Sequence, residues 1–173
     1  MNTEMFFVYV VVCITAHIVR SIYEILKHKK KLIPNKISFV IIFVNMGILW
    51  VSWFALCSID LYRMNLPDII RYAGILFVGI GAVLFLTALF TIKTLETYEG
   101  DLIIKGIYSK IRHPMYLGFI LWLIGFPLFY GALFSFFLSL PFIANVLFWR
   151  YLEEIELEKR FPSYWDYKKT TIF

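Results

Sequence analysis

Between Pro114 and Trp149 the chain runs for 36 residues without an Asp, Glu, Lys, Arg or His. One α-helix of that length would reach about 54 Å at 1.5 Å per residue, nearly twice the roughly 30 Å of bilayer hydrocarbon. Halved, each piece is about 27 Å long and fits. Pro127 and Gly131 bracket the break, which is expected at Phe129-Tyr130, because both residue types end helices. The run therefore predicts a tight helical hairpin, with spans 114–130 and 132–149, whose outer ends return to one membrane face.

Three further apolar stretches, 5–23, 37–62 and 69–92, are long enough to cross a bilayer. The expected fold is all-α: one polytopic membrane domain over 1–173, with five transmembrane helices and a polar C-terminal tail from 150 to 173. Composition agrees. Hydrophobic residues make up 61% of the chain and charged residues 17%, against roughly 45–50% and 25% in soluble domains. Disorder is excluded by the aromatic content of 20%. The first five residues lack the basic start of a cleaved leader.

The net charge of +5 does not indicate nucleic acid, because the basic residues lie between apolar runs and not along one face. Cys13 and Cys57 sit inside apolar runs, without metal-type spacing, and read as small buried hydrophobes. Basic residues also orient the spans. Arg20, the group from Lys27 to Lys36, Lys93, Lys105, Lys110, Arg112, Arg150, Lys159, Arg160, Lys168 and Lys169 fall on one side, fifteen in all. Arg63 and Arg71 fall on the other. The N-terminus is expected outside, with the C-terminus and both sizeable polar segments, 94–113 and 150–173, in the cytoplasm. The first part of the tail, 150–160, is rich in helix formers and is expected to continue the fifth span.

The loop before the hairpin ends in Gly106-Ile-Tyr108-Ser-Lys-Ile-Arg112-His113-Pro114-Met-Tyr116-Leu-Gly118. Proline suits a first helical turn, so His113 stands close to the N-cap and Tyr116 within the first turn. The hairpin brings Arg150, Glu153 and Glu154 back to that face. Leu157, Phe161, Tyr164 and Tyr167 follow at helical spacing.

Together these segments resemble the isoprenylcysteine carboxyl methyltransferase and phospholipid methyltransferase family of integral membrane enzymes. The pattern G-x-Y-x-x-x-R-H-P-x-Y-x-G matches Gly106 to Gly118, and the later elements match Glu153-Glu154, Phe161, Tyr164 and Tyr167. The resemblance implies S-adenosylmethionine as methyl donor. It assigns cofactor binding to Leu102, Ile103, Tyr108, His113, Pro114, Tyr116, Glu153 and Glu154, with Leu102 and Ile103 against the adenine. It implies an acceptor of the isoprenylcysteine carboxylate type, with phospholipid amines as the alternative.

The residue types suit these roles. A carboxylate accepts hydrogen bonds from ribose hydroxyls or an amine. The helix start at His113-Pro114 favours an anionic group, and tyrosine faces suit a sulfonium. Arg150 or Arg112 can grip an acceptor carboxylate bidentately, and His113 is the histidine placed to act as a base. The acceptor's tail would enter from the bilayer among membrane lipids. No metal is called for. A different class, an NADPH-dependent sterol-type reductase on the same helical core, is disfavoured because so short a tail offers little surface for a second nucleotide. Outside the motif, His17, Arg20 and Glu24 near the inner end of the first span read as snorkelling groups. Asn45 and Asn145 read as interhelical hydrogen-bonders, and Gly79 and Gly81 as helix-packing glycines.

Overall fold

The computed structural model describes residues 2–92 and 101–173; Lys93 and the start of the 94–113 loop lie outside the described residues. The described residues form α1 (Asn2–His28), α2 (Lys36–Ile59), α3 (Asp68–Ile92), a 3-10 turn (Gly106–Ser109), α4 (Pro114–Tyr130), α5 (Leu133–Arg160) and α6 (Tyr164–Thr170). Among them no strand occurs, only two isolated bridges. Four helices, α1, α2, α3 and α5, are long and apolar enough to cross a membrane. The fourth expected span is a helix over the expected residues, but at 17 residues it is the shortest of the apolar set, about 25 Å long.

Local sequence accounts for the boundaries. Asn35 caps α2 by accepting from the Ile37 and Ser38 amides at 3.0 and 2.9 Å, while the Ser38 hydroxyl accepts from the Asn35 amide. Helix α2 stops at Ile59, three residues before the expected end, because the Asp60 carboxylate takes the Tyr62 amide at 2.9 Å and turns the chain. The hairpin breaks at Gly131-Ala132, slightly later than the expected Phe129-Tyr130. Gly131 adopts φ 64°, the left-handed conformation that closes a helix, and its ideal Cβ would lie 2.7 Å from the Met64 carbonyl. As expected, α5 runs unbroken through the tail residues to Arg160.

The hairpin tip is fastened to the α2–α3 connection. Asp60, buried, accepts from the amide and hydroxyl of Ser135, each at 2.7 Å. The Met64 amide donates to Gly131 at 2.7 Å, the Leu133 amide to Tyr62 at 2.9 Å, and Arg63 to the Tyr130 carbonyl at 3.0 Å. Charged and backbone groups are thereby satisfied where the helices turn.

Helices α3 and α4 make the most extensive contact in the bundle, through paired glycines. An ideal Cβ on Gly74 would stand 2.7 Å from the Gly125 carbonyl, and one on Gly81 would stand 2.8 Å from the Gly118 carbonyl. Small residues let the backbones touch, as in other membrane helix pairs. Gly81 is thus a packing glycine as expected. Gly79 is not, since nothing lies within 4 Å of its Cβ position. Helix α1 packs on α2 and α5, whereas α2 and α3 scarcely touch. The core is rich in rings, with Trp53, Phe119, Phe142 and Trp149 buried at its centre.

The three polar residues of α1 depart from the snorkelling expectation. His17 and Glu24 are buried, and the Arg20 side chain is only 13% exposed. Ile14, Ile18, Val19 and Ile22 take the outward positions. The reason is azimuth: residues 13, 16, 17, 20 and 24 share one helical face, and that face meets α5. His17 stacks on Phe142 with ring centroids 3.9 Å apart, and the Asn145 amide lies 3.1 Å from its Nδ1. Asn145 also accepts from Ser21 at 2.8 Å, and Asn45 donates to the Ala16 carbonyl at 3.1 Å, so both asparagines link helices.

Candidate functional site

Where α2 and α3 diverge, a cavity of about 400 Å³ opens above the start of α4, a size within the usual range for small-molecule sites. Its walls are apolar: Phe39, Ile42, Met46 and Trp50 from α2, with Phe85 and Leu89 from α3. Its floor is polar and drawn from four other segments. Tyr108 comes from the 3-10 turn, Arg112, His113 and Tyr116 from the start of α4, Trp149 and Glu153 from α5, and Arg20 from α1.

The motif segment is placed by local rules and then by the tail. Pro114 is the first residue of α4 and His113 its N-cap. Gly106 takes φ 61° at the start of the 3-10 turn, a conformation that favours glycine. Past Phe161 the chain turns back, and residues 164–173 lie against 108–113. The Ile172 amide donates to the Lys110 carbonyl at 2.9 Å, and the Arg112 amide to the Ile172 carbonyl at 3.1 Å. Tyr167 Oη donates to the Tyr108 carbonyl at 2.6 Å. Tyr164, fully buried, sets its hydroxyl 3.4 Å from His113 Nε2. Burial pushes the phenols of Tyr108, Tyr164 and Tyr167 above their ordinary range, Tyr167 to about 12, so all three stay neutral donors.

The two adjacent glutamates have different surroundings. Glu153 lines the cavity together with Tyr116. Glu154 points to the tail side, where its side chain is 9% exposed. It lies 3.4 Å from His113 Nε2, 3.4 Å from Arg112 Nε and 3.1 Å from Lys168 Nζ. His113 foremost, then Lys168, hold its carboxyl well below the usual range, at about 2. Lys168 also donates to Glu158 at 3.0 Å, and these carboxylates raise its ammonium pKa.

Of the two candidate arginines, Arg112 lines the cavity and Arg150 lies outside its lining. Arg112 Nη1 donates to the Lys168 carbonyl at 3.0 Å and to the Thr171 carbonyl. The Arg150 guanidinium sits 4.6 Å over the Phe173 ring, with Nε 3.9 Å from Glu154. The structure therefore brings together Tyr108, Arg112, His113, Tyr116 and Glu153 around the cavity. Pro114 and Glu154 stand directly behind them, and Leu102 and Ile103 are half-buried outside the lining. Sequence reasoning missed Arg20, Trp50 and Trp149. The signal for Arg20 was the largely apolar outer face of α1; Trp50 had none beyond its ring.

The lining suits a nucleoside carrying a sulfonium. It offers tyrosine and tryptophan faces for a cation or a base, and a carboxylate for hydroxyl or ammonium donors. The Trp50 indole N–H is buried there with no hydrogen-bond partner among the described residues. No curated protein and no solved structure matches the chain. A family model does match, over residues 69–163. That is more than half the chain, from the first turn of α3 to the α5–α6 junction, and it takes in the Arg112-His113-Pro114 segment and both glutamates. On that match the chain belongs to the phospholipid methyltransferase family.

Proposed function

We propose that the chain is an integral membrane enzyme that transfers the methyl group of S-adenosylmethionine to a lipophilic acceptor. One observation carries the reading: the cavity's apolar α2 and α3 walls end on a polar floor built from the family motif. When bound, S-adenosylmethionine supplies an electrophilic methyl, which bonds to an acceptor oxygen or nitrogen while the electron pair of the broken bond stays on sulfur.

The chain's part is to hold and align two reactants. Glu153 and the tyrosine faces of Tyr108 and Tyr116 would hold the cofactor, with His113-Pro114 at the positive helix start. Glu154 fixes His113 and Arg112 from behind. Leu102 and Ile103 border the loop side, against the adenine in the reading that the family resemblance supports. The apolar walls take the acceptor's tail and exclude water.

An isoprenylcysteine carboxylate is the acceptor we favour. It is ionised at neutral pH and needs no base, and Arg112 is the guanidinium of the motif at the cavity; Arg150, from behind, steadies the tail. A phospholipid amine is the second reading, favoured by Glu153 on the floor, and there His113 would take the amine proton. In the membrane we read α4 as a fifth span, with the N-terminus outside and the cavity floor and C-terminus cytoplasmic, on the fifteen-to-two basic asymmetry. Isothermal calorimetry of the detergent-purified protein tests the reading. S-adenosylmethionine and S-adenosylhomocysteine should bind saturably and NADPH should not; the reverse pattern would overturn it. Methyl transfer to a prenylcysteine and to phosphatidylethanolamine then ranks the acceptors.

A further inference from the structure

We propose that Arg20, paired with Glu24 on α1, receives the anionic group of the acceptor and so sets acceptor specificity. The inference rests on the methyltransferase reading and goes beyond it, because α1 lies outside the family-matched residues 69–163 and carries no motif.

A charged group inside a spanning helix is costly to bury and ordinarily marks a functional site. Arg20 has lipid-facing neighbours on both sides, Val19 and Ile22, yet it turns inward to the cavity. Its guanidinium lies 5.5 Å from the Tyr23 ring centroid and 5.8 Å from that of Trp149, so two aromatic faces fix its position. Glu24 pairs with it one turn along the same helix. Pairs of this kind contribute little net stability once desolvation is counted, so stability alone does not explain a guanidinium at this place.

Two guanidiniums line the cavity, Arg20 and Arg112. The orientation of Arg112 is set by the tail, through the Lys168 and Thr171 carbonyls and Glu154. Arg20 stands on the α1 side, beside Trp149 and in the same lining as Tyr116 and Glu153. There an amphiphile lying along the apolar walls would bring its head. The chemistry a guanidinium selects is a planar or tetrahedral oxyanion, gripped through two N–H donors. A prenylcysteine carboxylate and a phospholipid phosphate both supply one.

The test measures binding without cofactor, by quenching of tryptophan fluorescence in the detergent-solubilised full chain. Two matched pairs of probes are titrated: N-acetyl-S-farnesylcysteine against its methyl ester, and phosphatidylethanolamine against diacylglycerol. The wild type should prefer the oxyanion-bearing member of at least one pair, and which pair responds identifies the oxyanion. Arg20→Gln should weaken that member about tenfold to a hundredfold, the usual worth of a charge-assisted bond, and leave its neutral partner unchanged. Because Arg20→Gln removes a counter-charge from the buried Glu24 carboxylate, the double variant Arg20→Gln/Glu24→Gln is measured beside it and should show the same selective loss. Equal weakening of both members of a pair, or a folded double variant that keeps wild-type discrimination, would overturn the inference. Absence of S-adenosylmethionine binding by the wild type would instead sink the methyltransferase reading, and the lipid titrations would still decide the role of Arg20.

Discussion

Gly81 and Gly79 lie two residues apart on α3, and replacing each with alanine isolates the close approach of α3 and α4. A Cβ at position 81 would meet the Gly118 carbonyl oxygen at 2.8 Å and the Trp122 ring at 2.8 and 2.9 Å. Ordinary contact begins at 3.4 Å, so something must yield by about 0.6 Å. The carbonyl belongs to a helix backbone. The Trp122 indole is tied to the Val78 carbonyl at 3.1 Å and packs on Trp50 and Phe85. Neither is a free end that moves cheaply, and overpacking of this kind costs roughly 1–3 kcal/mol. Alanine also gains about 1 kcal/mol of helix propensity over glycine. That gain is common to Gly79→Ala, which meets nothing, so it cancels when the two variants are compared. The pair should therefore differ by about 1–3 kcal/mol, or roughly 3–10 °C in melting temperature for a chain of this size. Thermal melts of both variants in one detergent read it. Because Phe85 and Trp50 line the cavity, Gly81→Ala should also weaken ligand binding while Gly79→Ala does not. Equal melting temperatures, or Gly79→Ala as the worse variant, would refute the account of a backbone-to-backbone seam.

Four further outcomes are expected. Glu153→Gln should lower S-adenosylmethionine affinity about tenfold to a hundredfold with an unchanged melt. Glu154→Gln should lower it as well but also loosen the tail, seen as faster trypsin cleavage after Lys168 or Lys169, and Glu158→Gln should be near neutral in both assays. The depressed Glu154 pKa makes stability depend on acid. A carboxyl held below its unfolded value contributes fully above about pH 4.5 and loses that contribution as pH falls toward 2. The melting-temperature gap between wild type and Glu154→Gln should therefore narrow across that window, and a constant gap would contradict the ion cluster. Finally, single cysteines replacing Lys30 and Lys168, in a chain freed of Cys13 and Cys57, should label from the same membrane face; labelling from opposite faces would break the five-span reading.

The hairpin was legible because it depends on one-dimensional facts: a span without charge, its length against the bilayer, and Pro127 and Gly131 near its middle. The motif segment was legible because Pro114 fixes the start of α4 and with it the place of His113. The division of labour between Glu153 and Glu154 was not. Adjacent helical residues point about 100° apart, so sequence says that they face different surroundings without saying which faces the cavity. The hold of the tail on Arg112 was hidden for another reason: its acceptors are the Lys168 and Thr171 carbonyls, and backbone carbonyls have no side-chain signature. Arg20 was misjudged because snorkelling and inward-facing arginines share the same spacing; only the neighbouring helix distinguishes them.

The fastening of Asp60 to Ser135 and of Arg63 to Tyr130 gives α2 the geometry of a lever held at one end. The end of α2 and its connection to α3 are pinned to the hairpin tip, and α2 and α3 themselves scarcely touch. Helix α2 has 24 residues, an arm of about 36 Å. A tilt of about 5° around the pinned end would displace Phe39 and its neighbours by about 3 Å. The same tilt leaves the hairpin tip nearly still. By this geometry a tilt of α2 would be felt most at the mouth of the cavity, with the glycine-paired α3 and α4 as the opposite wall.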